Sequence, residues 1–99
     1  MKERRRLARV LIRRAVDVSW DLGRAEGWGR NISLGGMYVQ SQARPDAGAK
    51  VHVTVRLRRG APLSMPARVC RNDEGGFAVQ FVAVGQLEAG TLRKLVEGS

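Results

Sequence analysis

Arginine is the residue type through which this chain could do chemistry. Of its 18 cationic side chains 15 are arginine, and only Lys2, Lys50 and Lys94 are lysine. Either cation would serve solubility, whereas the planar guanidinium fork is what two-point recognition of an anion or a base edge requires. Lys2, Arg4, Arg5, Arg6, Arg9, Arg13 and Arg14 stand against Glu3 alone, so residues 1–14 hold +6 of the formal +9. A basic arm of this kind points to nucleic acid, a nucleotide, free phosphate or an acidic membrane surface. A solvated tail that only aids solubility stays open on these grounds.

Catalytic chemistry finds little support. His52 is the only histidine and lies on the polar phase of a strong strand pattern, with no second histidine to share a metal. Cys70 is the only cysteine, which excludes an internal disulfide and a cysteine metal cluster, and it is expected to be buried as a small apolar residue. The glycine clusters match neither a phosphate-binding loop nor a dinucleotide fingerprint. No enzyme activity, metal or cofactor is therefore expected. Asn31-Ile32-Ser33 is formally a glycosylation acceptor, but no secretion signal precedes it. Read alone, residues 31–36 are a turn in which Asn and Ser bond the local backbone and glycine relaxes it.

The elements that must position these residues are strands. The chain has 99 residues, enough for one domain with one core. Val16, Val18 and Trp20 alternate with polar residues, as do Val51, Val53, Val55 and Leu57, and again Phe77, Val79 and Phe81. Weaker strand patterns cover 27–31, 36–41 and 65–72, the last with Ala67, Val69 and Arg71 in one phase. Turn residues separate them at 22–27, 34–36, 44–48, 59–62 and 72–76. Six short-linked strands predict an all-β fold, a six-stranded antiparallel β-barrel over 15–84, because closure removes exposed edges. Leu87, Leu92, Leu95 and Val96 predict a C-terminal α-helix over 86–97, weakened by Gly90. Residues 1–14 are expected to be a flexible basic N-terminal arm. No apolar run approaches a secretory signal or a membrane span, so a cytoplasmic location is expected.

Arg5 and Arg9 form R-x-x-x-R, and 22 residues after Arg9 the turn reads N-x-S-x-x-G through Asn31, Ser33 and Gly36. These two motifs, in this order inside a six-stranded pattern, resemble those of the PilZ domain, a bacterial receptor for the second messenger cyclic di-GMP. The resemblance spans nearly the whole chain, including "PARVCR" and "GGFAVQFV", and implies a six-stranded barrel followed by a helix. It also implies the ligand-binding set Arg5, Arg9, Asn31, Ser33 and Gly36. Cyclic di-GMP presents two phosphates and two guanines whose O6 and N7 edges suit a bidentate guanidinium. By this resemblance Arg5 and Arg9 clamp guanine and phosphate, Asn31 accepts from the guanine Watson–Crick edge, Ser33 bonds nearby and Gly36 lets the backbone approach. The Asn31 position is more often Asp in the family, and an amide accepts without a carboxylate's charge. Arg4 is an additional candidate for a second, stacked ligand, and Arg71 for a contact from the barrel, although each has a plain reading as a solvated cation.

The resemblance thus implies a non-catalytic cyclic di-GMP receptor and adaptor acting on an unidentified protein partner, as a monomer or homodimer. Two other readings compete: a small basic nucleic-acid-binding barrel, and a PilZ-fold protein-interaction module without ligand. The first is weakened because Trp20, Phe77 and Phe81 share a phase with core residues, which leaves few aromatics for base stacking. Nucleic acid is therefore not an expected partner.

Overall fold

A computed structural model describes residues 9–98. Six strands, β1 (Val10–Trp20), β2 (Gly23–Ile32), β3 (Gly36–Gln40), β4 (Lys50–Val55), β5 (Leu63–Asn72) and β6 (Gly76–Phe81), precede one helix, α1 (Gln86–Gly98). All pairings are antiparallel, and the order β1-β2-β3-β6-β5-β4 closes into a barrel. The expected fold class is the observed one. Alternation explains why: Val16 and Val18, Val51, Val53 and Val55, and Phe77, Val79 and Phe81 all turn inward.

Ile32, Met37, Met65 and Val69 complete an interior filled by side chains. Each large apolar side chain buried there contributes about 1.5–3 kcal/mol. A small barrel packed in this way has no lumen, so any ligand must sit on its outer face or rim. α1 lies against β5 and seals the barrel with Leu92, which is buried, and with half-buried Leu95 and Val96. Leu87, expected on the same face, is exposed. Five residues before Leu92, it points about 140° away from it at 100° per residue.

Several boundaries differ from expectation. Residues 10–14, expected in the arm, belong to β1, where Ile12 packs against the core. The turn expected at 22–27 is shorter, and β2 begins at Gly23. Its alternation is hidden because Gly29 fills an inward position: a Cβ there would lie 2.9 Å from Met37 Sδ and 3.1 Å from Val16 Cγ2. Register shifts fall between Leu11 and Arg14 in β1, Gly29 and Asn31 in β2, and Val69 and Arg71 in β5. Each adds a residue to one strand and resets which side chains face out. Cys70, expected to be buried, is exposed at the β5 bulge. Arg71, in phase with Ala67 and Val69 by strict alternation, is exposed for the same reason.

Gly90 lies inside α1 with open space where a Cβ would stand. Gly90→Ala is expected to raise stability by about 1 kcal/mol, the helix-propensity difference. In a domain of this size the thermal midpoint should rise by about 4–8 °C. A melting curve followed by circular dichroism checks the sign.

Candidate functional site

The turn after β2 is built by Ser33. Its side chain is buried, its Oγ accepts from the Gly35 and Gly36 amides at 3.1 and 3.2 Å, and its own amide donates to the Gly36 carbonyl at 2.9 Å. Gly36 opens β3 opposite Gln80 of β6, where a Cβ would overlap the Val79 carbonyl oxygen. Residues 33–36 thus bring the start of β3 tightly against β6. Just before the turn, the β2 bulge leaves Asn31 on the outer face, paired with Leu11 of β1 and Tyr38 of β3. Arg9, immediately before β1, donates from Nη1 to Asn31 Oδ1 at 2.5 Å. Two residues 22 apart in sequence, one from each predicted motif, are therefore joined by a hydrogen bond.

Continuing across the sheet, Asn31 pairs with Tyr38, Tyr38 with Ala78 and Ala78 with Arg71. Asn31 and Arg71 are three strand spacings apart, about 14 Å. Small Ala78 stands between Tyr38 and Arg71 and leaves the surface low. A groove of about 370 Å³ follows this depression, bordered by Arg9 and Ser33 at one side and by Cys70 and Arg71 at the other, with Gly36 and Gln80 among its lining. Grooves of about 840 and 660 Å³ lie elsewhere on the surface, but the smaller one gathers the predicted residues Arg9, Ser33, Gly36 and Arg71. Arg4 and Arg5 lie outside the described residues.

A second cluster, not anticipated from the sequence, steadies the far wall. The Tyr38 hydroxyl donates to Asp73 Oδ1 at 2.6 Å, and the same oxygen accepts from the Gly75 and Gly76 amides at 2.9 and 3.0 Å. The glycines after Asp73 marked a turn in the sequence, but only the fold brings β3 to it. The hydrogen bond from Tyr38 holds the Asp73 carboxyl below its ordinary pKa, helped by the two backbone amides and by the Arg71 charge. The same hydrogen bond raises the Tyr38 phenol above its ordinary value, reinforced by desolvation and by the Asp73 charge.

These shifts set the sign of a pH dependence. Asp73 has a lower pKa folded than unfolded, so its contribution is present above the ordinary carboxylate pKa and is lost as pH falls through the folded value. Tyr38 has a higher pKa folded, so its contribution is present below the ordinary phenol pKa and is lost as pH rises through the folded value. Tyr38→Phe is expected to lessen the fall in thermal midpoint below about pH 4, which melting curves at graded acid pH would show. Of the aromatics, Phe77 and Phe81 are buried and Trp20 packs against the core, while exposed Trp28 lies under Arg13, whose Cζ is 5.6 Å from the ring centroid.

A closed six-stranded barrel with a helix across one side and a cationic groove on its outer face defines a small binding module. The chain belongs to the PilZ domain family: the family model described as PilZ domain matches residues 3–98. PilZ domains are a cyclic di-GMP-binding class of regulatory modules. Bacillus subtilis inhibitor of motility (MotI/DgrA) has a similar structure, with a TM-score of 0.80 and 19% identity over 96% of this chain and 50% of that one. The PilZ domain of CeSA from a cellulose-synthesizing bacterium is also similar, with a TM-score of 0.75 and 23% identity over 92% of this chain and 96% of that one. Identities this low carry the fold alone, and this chain spans half the length of the MotI/DgrA chain. No curated protein matches the sequence. Among the described residues, no helix is long and apolar enough to cross a membrane.

Proposed function

We propose that this chain is a non-catalytic cyclic di-GMP receptor that acts as an adaptor, changing a surface offered to a protein partner when the nucleotide binds. The observation that carries this reading is the hydrogen bond to Asn31 from Arg9, which lines the 370 Å³ groove while Asn31 stands outside its lining. Arg9 and Arg5 supply guanidinium groups for phosphate and guanine, and Arg71 lines the groove with Arg9. Asn31 Oδ1 has two acceptor lone pairs, so it serves Arg9 and one guanine N–H together. Ser33 and Gly36 act through the shape of the turn: Ser33 Oγ is already occupied by two amides, and its place is beneath the ligand rather than in front of it. Arg4 is positioned in sequence to meet a second, stacked nucleotide.

Binding engages the basic residues before β1 with the nucleotide and so alters the neighbouring surface. Calorimetric titration with cyclic di-GMP, using cyclic di-AMP and GTP as controls, tests the reading and reports stoichiometry. Saturable heat is expected for cyclic di-GMP alone, because adenine lacks the O6 acceptor and GTP the cyclic pair of phosphates. No heat with cyclic di-GMP would overturn it.

A further inference from the structure

β1 pairs with β2 along most of its length but with β4 only at residues 16–19 against 52–55. The seam ends at the hydrogen bond from the Arg56 amide to the Ala15 carbonyl, 3.0 Å. Beyond it the chain has left β4 at Val55 and rejoins the sheet only at Leu63. Residues 10–14 therefore keep one strand edge that no strand covers among the described residues, and alternate backbone N–H and C=O groups point from it. Edges of this kind are templates for another extended chain.

A groove of about 660 Å³ runs beside that edge, between β1, the segment after β4 and α1. Its floor is apolar, with half-buried Ile12, Leu57 and Leu95, and Leu11 at its border is 83% exposed. Arg13, Arg14, Arg58 and Lys94 surround it, and no acidic side chain among the described residues lines it. Arg14, Arg58 and Lys94 make no ion pair with a described residue.

We propose that this edge and groove form a docking site for an extended acidic segment of a protein partner. The segment adds to β1 as a further strand, sets alternate apolar side chains on the floor and places its carboxylates against the surrounding cations. The exposed backbone selects an extended chain, and the cations select its charge. A second copy of this chain, at +9, is disfavoured by charge, and so are residues 1–8, where Lys2, Arg4, Arg5 and Arg6 against Glu3 leave +3. An anionic lipid surface would meet the cations but leave both the backbone edge and the concave floor unfilled. The edge begins beside the nucleotide groove, since Leu11 pairs with Asn31 and follows Arg9 by two residues. Coupling between the two sites rests on the proposed function, whereas the docking site does not.

The probe is a labelled peptide of about eight residues, an ordinary strand length, alternating valine and glutamate. Its comparisons are the same peptide N-methylated at alternate amides, a valine and lysine counterpart, and phosphatidylglycerol vesicles. With the full chain, the acidic peptide is expected to bind about tenfold or more tightly than either altered peptide, and to shift the amide resonances of residues 10–14. Arg58→Glu with Lys94→Glu, both exposed, should weaken it by about tenfold or more while leaving the thermal midpoint near its original value. Failure of the acidic peptide to bind, equal binding of the N-methylated and unmethylated acidic peptides, or binding to vesicles alone would overturn the docking site. Repeating the titration with saturating cyclic di-GMP separates the two readings: an unchanged peptide affinity would overturn the coupling and leave the docking site standing.

Discussion

Alanine in place of Arg9 is expected to weaken cyclic di-GMP binding by about 30- to 150-fold, equivalent to about 2–3 kcal/mol for a lost pair of charge-assisted contacts. Arg9 is exposed and precedes the first strand, so folding should be unaffected and the thermal midpoint should stay near that of the original chain. Arg9→Lys should recover only part of the loss, because an ammonium keeps the charge but lacks the planar fork. Asn31→Asp should act in the opposite direction. A carboxylate accepts the Arg9 guanidinium more strongly than an amide does and holds it at the groove mouth before the ligand arrives. Calorimetry on the three variants reads both signs, and an unchanged affinity in Arg9→Ala would remove Arg9 from the clamp.

Gly36→Ala is expected to cost about 2 kcal/mol of stability, within the usual range for overpacking. The added methyl group meets the Val79 carbonyl oxygen, which belongs to the backbone of the neighbouring strand and cannot swing aside. Accommodating it means separating β3 from β6, which disturbs the Gly36 to Gln80 register. At about 4–8 °C per kcal/mol, the thermal midpoint should fall by about 8–16 °C. Gly36 also lines the groove, so nucleotide affinity should drop with it. Thermal melts and titration together check the pair of effects, and Gly90→Ala, with its opposite sign, is the control for glycine removal as such.

The strands with valine or phenylalanine on their inward phase were legible from alternation alone, because one face of each must be buried. β2 was only half visible: Gly27 and Gly29 give its apolar phase no hydrophobic signal. The bulges were not legible, since an extra residue looks like any other until its partner strand is known. They account for Arg71 of β5, which is exposed although strict alternation puts it in phase with Ala67 and Val69; the late start given to β1 came from the charge of residues 1–14, which reads as an arm. In the candidate site, R-x-x-x-R and N-x-S-x-x-G were visible only as a pair that resembles the PilZ motifs, and the hydrogen bond that joins Arg9 to Asn31 needed the fold. The bond from Tyr38 to Asp73 was not visible, because it depends on β3 meeting the turn between β5 and β6. The role of Ser33 in building the turn, through the two amides its buried hydroxyl accepts, was legible only as the plain reading of residues 31–36.

The short seam between β1 and β4 also sets how the barrel comes apart. Residues 16–19 and the bond to Ala15 hold it, which makes it one of the shortest seams of the cylinder, with as few paired residues as β2 and β3 share. Amide protons along it are expected to exchange with solvent sooner than those of β3 and β6, which lie opposite in the ring. A pull on the N-terminal end of β1 would peel the strand toward that seam as a zip opens from its end. Anything that grips Arg9 from outside therefore acts at the zip's tab, and a bound nucleotide that fastens it to Asn31 would keep the cylinder shut.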